Sequence, residues 1–189
     1  MKPTRTKLML AAAMLLVIVT SAAFSALTAR VVLTVNTSYT ATGGLGTTSD
    51  SLNLDYGVTL TNGTGANQAN VIYHASRSLA DDANEVLCLD DDSLTDPLGS
   101  TIEMNILKAL VVYNTSSEAS LTIGGGTKPV DLCAEPNDVI VIPAGGKFMY
   151  AAPSATGLAL TDHNDLNFTH NGEGTAALTY KVIIVGVDS

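Results

Sequence analysis

A proline followed shortly by two glycines, at Pro143-Ala-Gly-Gly146, interrupts a chain that is β-patterned on both sides, with Val139–Ile142 before it and an apolar run at 158–161 after it. Proline presets its own φ and glycine accepts positive φ, so this stretch can reverse a strand tightly. It carries no nucleophile, no metal-ligand set and no phosphate cradle. From residue 30 onward the chain repeats the theme of short apolar runs broken by turn residues. Val31-Val-Leu-Thr-Val35 is the first run, and Leu52-Asn-Leu-Asp-Tyr56 alternates as a half-buried strand does. Asn62-Gly-Thr-Gly65 is a turn cluster, runs 71–74 and 85–89 read as short strands, and residues 90–99 form a polar loop.

Ile106-Leu-Lys-Ala-Leu-Val-Val-Tyr113 has helix-compatible leucine and alanine, but its β-branched pair and the following Asn114-Thr-Ser-Ser turn predict a strand. Further strands are expected at 119–123, 138–142, 147–151, 157–161 and 165–169, with a long closing run over 175–186. About eight to eleven short strands with turns between them mean an all-β sandwich or barrel. Aromatics make up only 5% of the chain and tryptophan is absent, so the core is aliphatic and the Cys…Trp…Cys pattern of immunoglobulin domains is missing. The expected fold is a two-sheet antiparallel sandwich of jelly-roll type, with aliphatic side chains interleaved between sheets about 10 Å apart.

The amino terminus stands apart. Lys2, Arg5 and Lys7 precede residues 8–29, which carry no charge, and small-x-small patterns follow the apolar centre at 21–23 and 23–25. This predicts a signal peptide or an uncleaved membrane anchor, in the form of an apolar helix, over 1–29, with the β-sandwich domain over 30–189. From Arg30 onward six basic residues face eighteen acidic ones, a net of −12. A surface this acidic repels phosphate and excludes nucleic-acid binding.

Export would allow Cys88 and Cys133, the two cysteines, to form a disulfide. It would close a loop of about 45 residues, with roughly 4 kcal/mol of chain-entropy stabilisation. The alternative is a pair of buried free thiols, as the apolar run Val86-Leu-Cys-Leu89 suggests. Asp90, Asp91, Asp92 and Asp96 supply oxygens of the kind calcium takes, but without the EF-hand order they read as turn caps. His74, His163 and His170 lack metal-ligand spacing, and the latter two read as an exposed pair at the ends of one strand. Gly124-Gly-Gly-Thr-Lys128 lacks the phosphate-loop spacing and is followed by proline. No Gly-x-Ser-x-Gly elbow occurs. Asn36, Asn62, Asn114 and Asn167 each begin an Asn-x-Ser/Thr triplet, as several do by chance in a chain rich in serine and threonine. No catalytic, metal or cofactor residue is assigned.

Leu52-Asn-Leu, Gly63-Thr-Gly-Ala-Asn-Gln-Ala-Asn70, Leu94-Thr-Asp-Pro-Leu-Gly99, Ile106-Leu-Lys-Ala-Leu-Val-Val, Pro143-x-Gly-Gly-x-Phe148, Ala152-Pro, Thr156-Gly-x-Ala-x-Thr161, Asp165-Leu and Tyr180…Ile184-Val-Gly186 occur in one order along the chain. Through them residues 33–186 resemble a family of small virion structural proteins of tailed bacteriophages. The resemblance implies a sandwich subunit of a virus particle, as a capsid decoration, tail or fibre component, with no enzymatic activity and no cofactor. Its partners would be copies of itself and other virion proteins, with the membrane involved only through residues 1–29 if these are uncleaved. Loop tips carrying Asn62, Asn67, Gln68 and Asp96 are the candidate contacts. The leader keeps open a secreted or membrane-anchored cell-surface module, or a filament subunit. A carbohydrate-binding or enzymatic module on the same fold is the weakest reading, because stacking aromatics are few. If the aliphatic layers form as described, a charge at Ile140 or Ile183 disrupts folding.

Overall fold

The computed structural model describes residues 26–133, 138–172 and 176–188. Most of the expected leader, with its apolar helix, lies outside the described residues. Among the described residues there is no helix, and the elements are all β. In chain order the strands are β1 (Thr28–Gly43), β2 (Gly46–Asn62), β3 (Gln68–Ala69), β4 (Val71–Leu79), β5 (Asn84–Cys88), β6 (Leu94–Thr95) and β7 (Thr101–Ile102). They continue with β8 (Met104–Asn114), β9 (Leu121–Gly124), β10 (Val139–Ile142), β11 (Lys147–Ala151), β12 (Leu158–Ala159), β13 (Asp165–His170) and β14 (Leu178–Asp188). Strand β1 starts inside the segment assigned to the leader, at Thr28.

Two four-stranded antiparallel arrays form the body: β11-β8-β14-β4, with β12 also paired to β8, and β10-β9-β13-β5. The pairing is nested. β4 pairs with β14, β5 with β13, β8 with β11, and β9 with β10, so early strands meet late ones in reverse order. The two arrays share one apolar core. Leu107, Leu110, Val182 and Ile184 come from one, and Leu87, Leu121, Ile123 and Leu166 from the other. Across the middle, the Phe168 ring stacks on Tyr180 with centroids 4.8 Å apart. The Tyr180 hydroxyl donates to Glu85, which also pairs with Arg77 at 3.4 Å. A buried phenol needs such an acceptor.

Three expectations change. The Pro143 turn does not fold β10 back onto β11. It carries the chain from one array to the other, since β10 pairs with β9 and β11 with β8. Gly145 takes φ 70° there, and Gly146 N donates to Pro143 O at 2.8 Å. Buried Asn114 fixes this turn from below, its side-chain amide donating to the carbonyls of Ala119, Ile142 and Pro143 at 2.8, 3.0 and 3.1 Å. The second change is the side to which Ile183 belongs. Val182 and Ile184 are fully buried, whereas Ile183 is 42% exposed on the outer face. A strand has period two, so a one-residue error in reading an unbroken apolar run exchanges its faces. Ile140 does pack against the core.

The third change is the length of the first two strands, expected as the short runs 31–35 and 52–56 and found as one long hairpin. β1 and β2 pair over 16 positions, from Thr28↔Thr61 to Gly43↔Gly46. At ~3.4 Å per residue that ribbon is about 50 Å long. Its root packs on the body, where Leu60 and Ala69 cluster with Ala109 and Val185, backed by Ala29, Val31, Val58 and Ile72. Beyond Val32 every residue of β1 is exposed.

Ile184→Asp is expected to abolish cooperative folding, because it puts an unpaired carboxylate among fully buried side chains. Ile183→Asp, one residue earlier, should melt within about 1 kcal/mol of the parent chain. Thermal unfolding followed by far-ultraviolet circular dichroism distinguishes the two.

Candidate assembly surface

The hairpin has two unlike faces. Pairing places Ala29 opposite Leu60, Val31 opposite Val58, Leu33 opposite Tyr56, Val35 opposite Leu54, and Thr37 opposite Leu52. Directly opposed residues share a face, and residues two apart along a strand do so too, so these pairs make one apolar stripe. The intervening pairs, among them Thr34↔Asp55, Asn36↔Asn53 and Ser38↔Ser51, make the other face polar. The apolar stripe is buried at the root and bare further out. Leu60 is 0% exposed, while Leu33, Leu52 and Tyr56 are 47%, 52% and 66% exposed. The alternation expected to mark a half-buried strand at Leu52–Tyr56 therefore marks an apolar face without cover among the described residues.

The root lies on the outer face of the β11-β8-β14-β4 array. Its first outer row, Ile72, Val185, Ala109 and Ala151, follows from the strand registers and carries the root cluster. The next row, Ile183, Val111 and Met149, is only partly covered. Between this row and β1 runs a groove of about 430 Å³, lined also by Thr28, Arg30 and Val32. Among the described residues β1 pairs with β2 alone, and its other edge borders this groove with no strand paired to it. One row further out, Tyr113 lies between Lys181 and Lys147 in the pairing register, and the Lys147 ammonium sits 4.3 Å over the Tyr113 ring. These exposed cations face outward on a chain that is otherwise acidic.

A buried lysine anchors the arm. Lys108 is 0% exposed, and its ammonium donates to the carbonyls of Ser154, Ala155 and Gly65 at 2.5, 2.9 and 3.5 Å. Burial lowers its pKa. The contact ties the turn after β2 to the loop after β11, and Asn67 N donating to Pro153 O at 2.7 Å closes the same junction. Asn67, with φ 55°, is thus a structural turn residue as well as an exposed one. Gln68 Oε1 accepts from Gly65 N, and Asn62 Oδ1 from Leu27 N. Asp96 Oδ1 caps its own turn, accepting from Leu98 N and Ser100 N at 2.8 Å. Asp96 and Leu98 meet Leu27 and Asn70 around one shallow depression, so the two predicted contact loops stand together at the hairpin root.

Cys88 and Cys133 are free, half-buried thiols. Cys88 Sγ lies 3.3 Å from Asp90 Oδ1, and burial pushes its thiol up to about 12. Asp91 is lowered by its hydrogen bond to Ser93, the role of a turn cap. His170 is buried rather than exposed, 3.0 Å from Ala80 O, and His163 lies 3.3 Å from both Pro129 O and Asp131. His74 is exposed on β4. Among the described residues no three metal-ligating side chains converge, and no helix is long and apolar enough to cross a membrane. Gly124, Gly125 and Gly126 all take positive φ in the loop after β9. Of the Asn-x-Ser/Thr sites, Asn114 is fully buried and unavailable to a sugar, while Asn36 and Asn62 are exposed.

The arm itself went unread in the sequence as a unit. Its signal is the apolar run 31–35 and the alternating run 52–56, one on each side of Gly43-Gly-Leu-Gly46. Neither a scan against models of known protein families nor a search of curated proteins returns a match for this chain.

Replacing Lys108 by Met leaves the Ser154 and Ala155 carbonyls without their donor and should lower stability by about 2 kcal/mol, read as an earlier urea midpoint. The Cys88 thiol is raised from 9.0 to about 12, so the folded chain holds that proton more tightly than the unfolded one. Its stabilising contribution is full below pH 9.0 and fades as pH climbs toward about 12. Iodoacetamide at pH 8.5 should therefore label Cys88 at least about tenfold more slowly in the folded chain than in urea, read by peptide mass spectrometry.

Proposed function

We propose that this chain is a non-enzymatic structural subunit of a virus particle, a capsid decoration or a tail or fibre component, working by packing against other protein chains. The observation that carries the reading is the projecting hairpin, whose exposed apolar stripe continues one that is buried at its root. Monomeric proteins rarely leave such a contiguous apolar face bare, and a long free strand edge beside it invites pairing. The nested order of pairing within the body, β4 with β14 and β5 with β13, supports reading the two arrays as a jelly roll. The ordered resemblance to phage virion proteins over 33–186 supports the same assignment.

A secreted or membrane-anchored surface module, or a filament subunit, is the second reading. The uncharged run at 8–29 behind three basic residues favours it. Amino-terminal sequencing of the native protein separates the two, since a start near residue 24 or 26 marks export and cleavage.

Purified full-length chain should give regular assemblies in negative stain and sediment as oligomers at micromolar concentration. Monodisperse monomers that bind no particle would overturn the assembly role.

A further inference from the structure

The geometry points to a specific docking mode, which rests on the assembly role above: the projecting part of the β1–β2 hairpin, residues 33–56, seats on a second copy of this chain. Its seat is the groove between that copy's β1 edge and the row Ile183, Val111 and Met149. Three observations select a second copy as the occupant. First, the contact continues one that the chain already makes within itself. The same stripe of the same hairpin packs at its root on Ile72, Ala109 and Val185 of the same outer face. The groove row is the next step across that face. A surface complementary to the root of the stripe is suited to its continuation, which keeps the same period and stays mainly apolar through Leu33, Val35, Leu52, Leu54 and Tyr56.

Second, the charges match. The only ionised side chains in 33–56 are Asp50 and Asp55, with no basic residue among them. Asp50, paired with Tyr39, lies on the apolar face. The seat is bordered by Lys181 and Lys147, which stand one row beyond Ile183 and Met149. On a chain with a net charge of −9 this is a local reversal of sign, and it favours an acidic arm.

Third, the backbone has matching vacancies. Among the described residues β1 has one unpaired edge, and β2 pairs outside the hairpin at Thr61 and Asn62 alone, through β3. An arm lying in the groove can add its β2 edge to the β1 edge of its host, exchanging main-chain hydrogen bonds while its apolar side chains cover the floor. The two surfaces are different parts of the chain, so the contact is head-to-tail. Repetition then gives a ring if the rotation closes and a fibre if it does not.

Full-length chain carrying p-benzoylphenylalanine in place of Tyr39, which is 71% exposed, tests this directly. On irradiation of the assembled protein, the expected product joins position 39 to a peptide holding Val111, Met149 or Ile183 of another copy. A crosslink between two arms, or to any other surface, overturns the docking mode. The double variant Leu33→Asp, Leu54→Asp should weaken self-association at least about tenfold by sedimentation while keeping the parent melting temperature. Reversal by Asp50→Lys should weaken it too, and adding Lys181→Glu should restore it. Assembly that survives all these changes sinks the docking mode and leaves the assembly role standing. A parent chain that stays monomeric sinks both.

Discussion

Strand β14 has to serve two apolar surfaces at once, and the architecture depends on how it does so. It pairs on one side with β8 and on the other with β4, which makes it central to its array. Inward, Leu178, Tyr180, Val182 and Ile184 fill the shared core. Outward, Val185 supports the hairpin root. A strand covered on both faces loses its alternation and reads as a continuous apolar run, as Val182-Ile-Ile-Val185 does. The outward side changes from lysine at 181 to valine at 185, and cover from the hairpin begins in that interval.

Apolar packing supplies the bulk of the cohesion, but three polar groups, Asn114 and Lys108 fully buried and Glu85 half-buried, decide how the strands are joined. Asn114 ties the turn after β8 to the turn after β10. Lys108 ties the turn after β2 to the loop after β11. Glu85 joins Tyr180 to Arg77, whose pKa rises chiefly through its hydrogen bond to Tyr73. Hydrophobic burial is non-directional and tolerates many arrangements of the same side chains. A buried donor is less tolerant, since an arrangement that leaves it unmatched forfeits its desolvation energy. These residues therefore fix which loops meet.

Much of the body was legible in the chain. Short apolar runs gave strands, and the β-branched end of 106–113 correctly outweighed its helix-forming leucines, because that segment forms β8. What was hidden depended on partners distant in sequence. The Pro143 stretch announced a turn but not that its two strands belong to different arrays, since local chemistry sets a bend and pairing sets its destination. Ile183 gave no sign of its face, because neighbours on both sides are equally apolar. His170 has a strand-end position that suggests exposure, but it is buried, with its ring 3.0 Å from Ala80 O. The hairpin was seen as two unrelated strands. Polar residues at Thr37, Thr48 and Asp50, on the apolar face itself, interrupt the alternation that links them. The contact loops at Asn62–Gln68 and Asp96 proved to be neighbours at the root of that hairpin, through a junction that spacing alone does not reveal.

A ribbon fastened at one end is also a lever. Beyond its root the hairpin reaches roughly 35–40 Å, so a tilt of about 10° at Lys108 and Leu60 carries Leu45 through some 6–7 Å. A twisted two-stranded ribbon bends more readily than a packed sheet, because only one ladder resists it. Molecules bearing such a ribbon can meet at a range of inclinations and still present the same side chains to one another. In the assembly proposed above, that latitude would let a single sequence tile surfaces of unequal curvature.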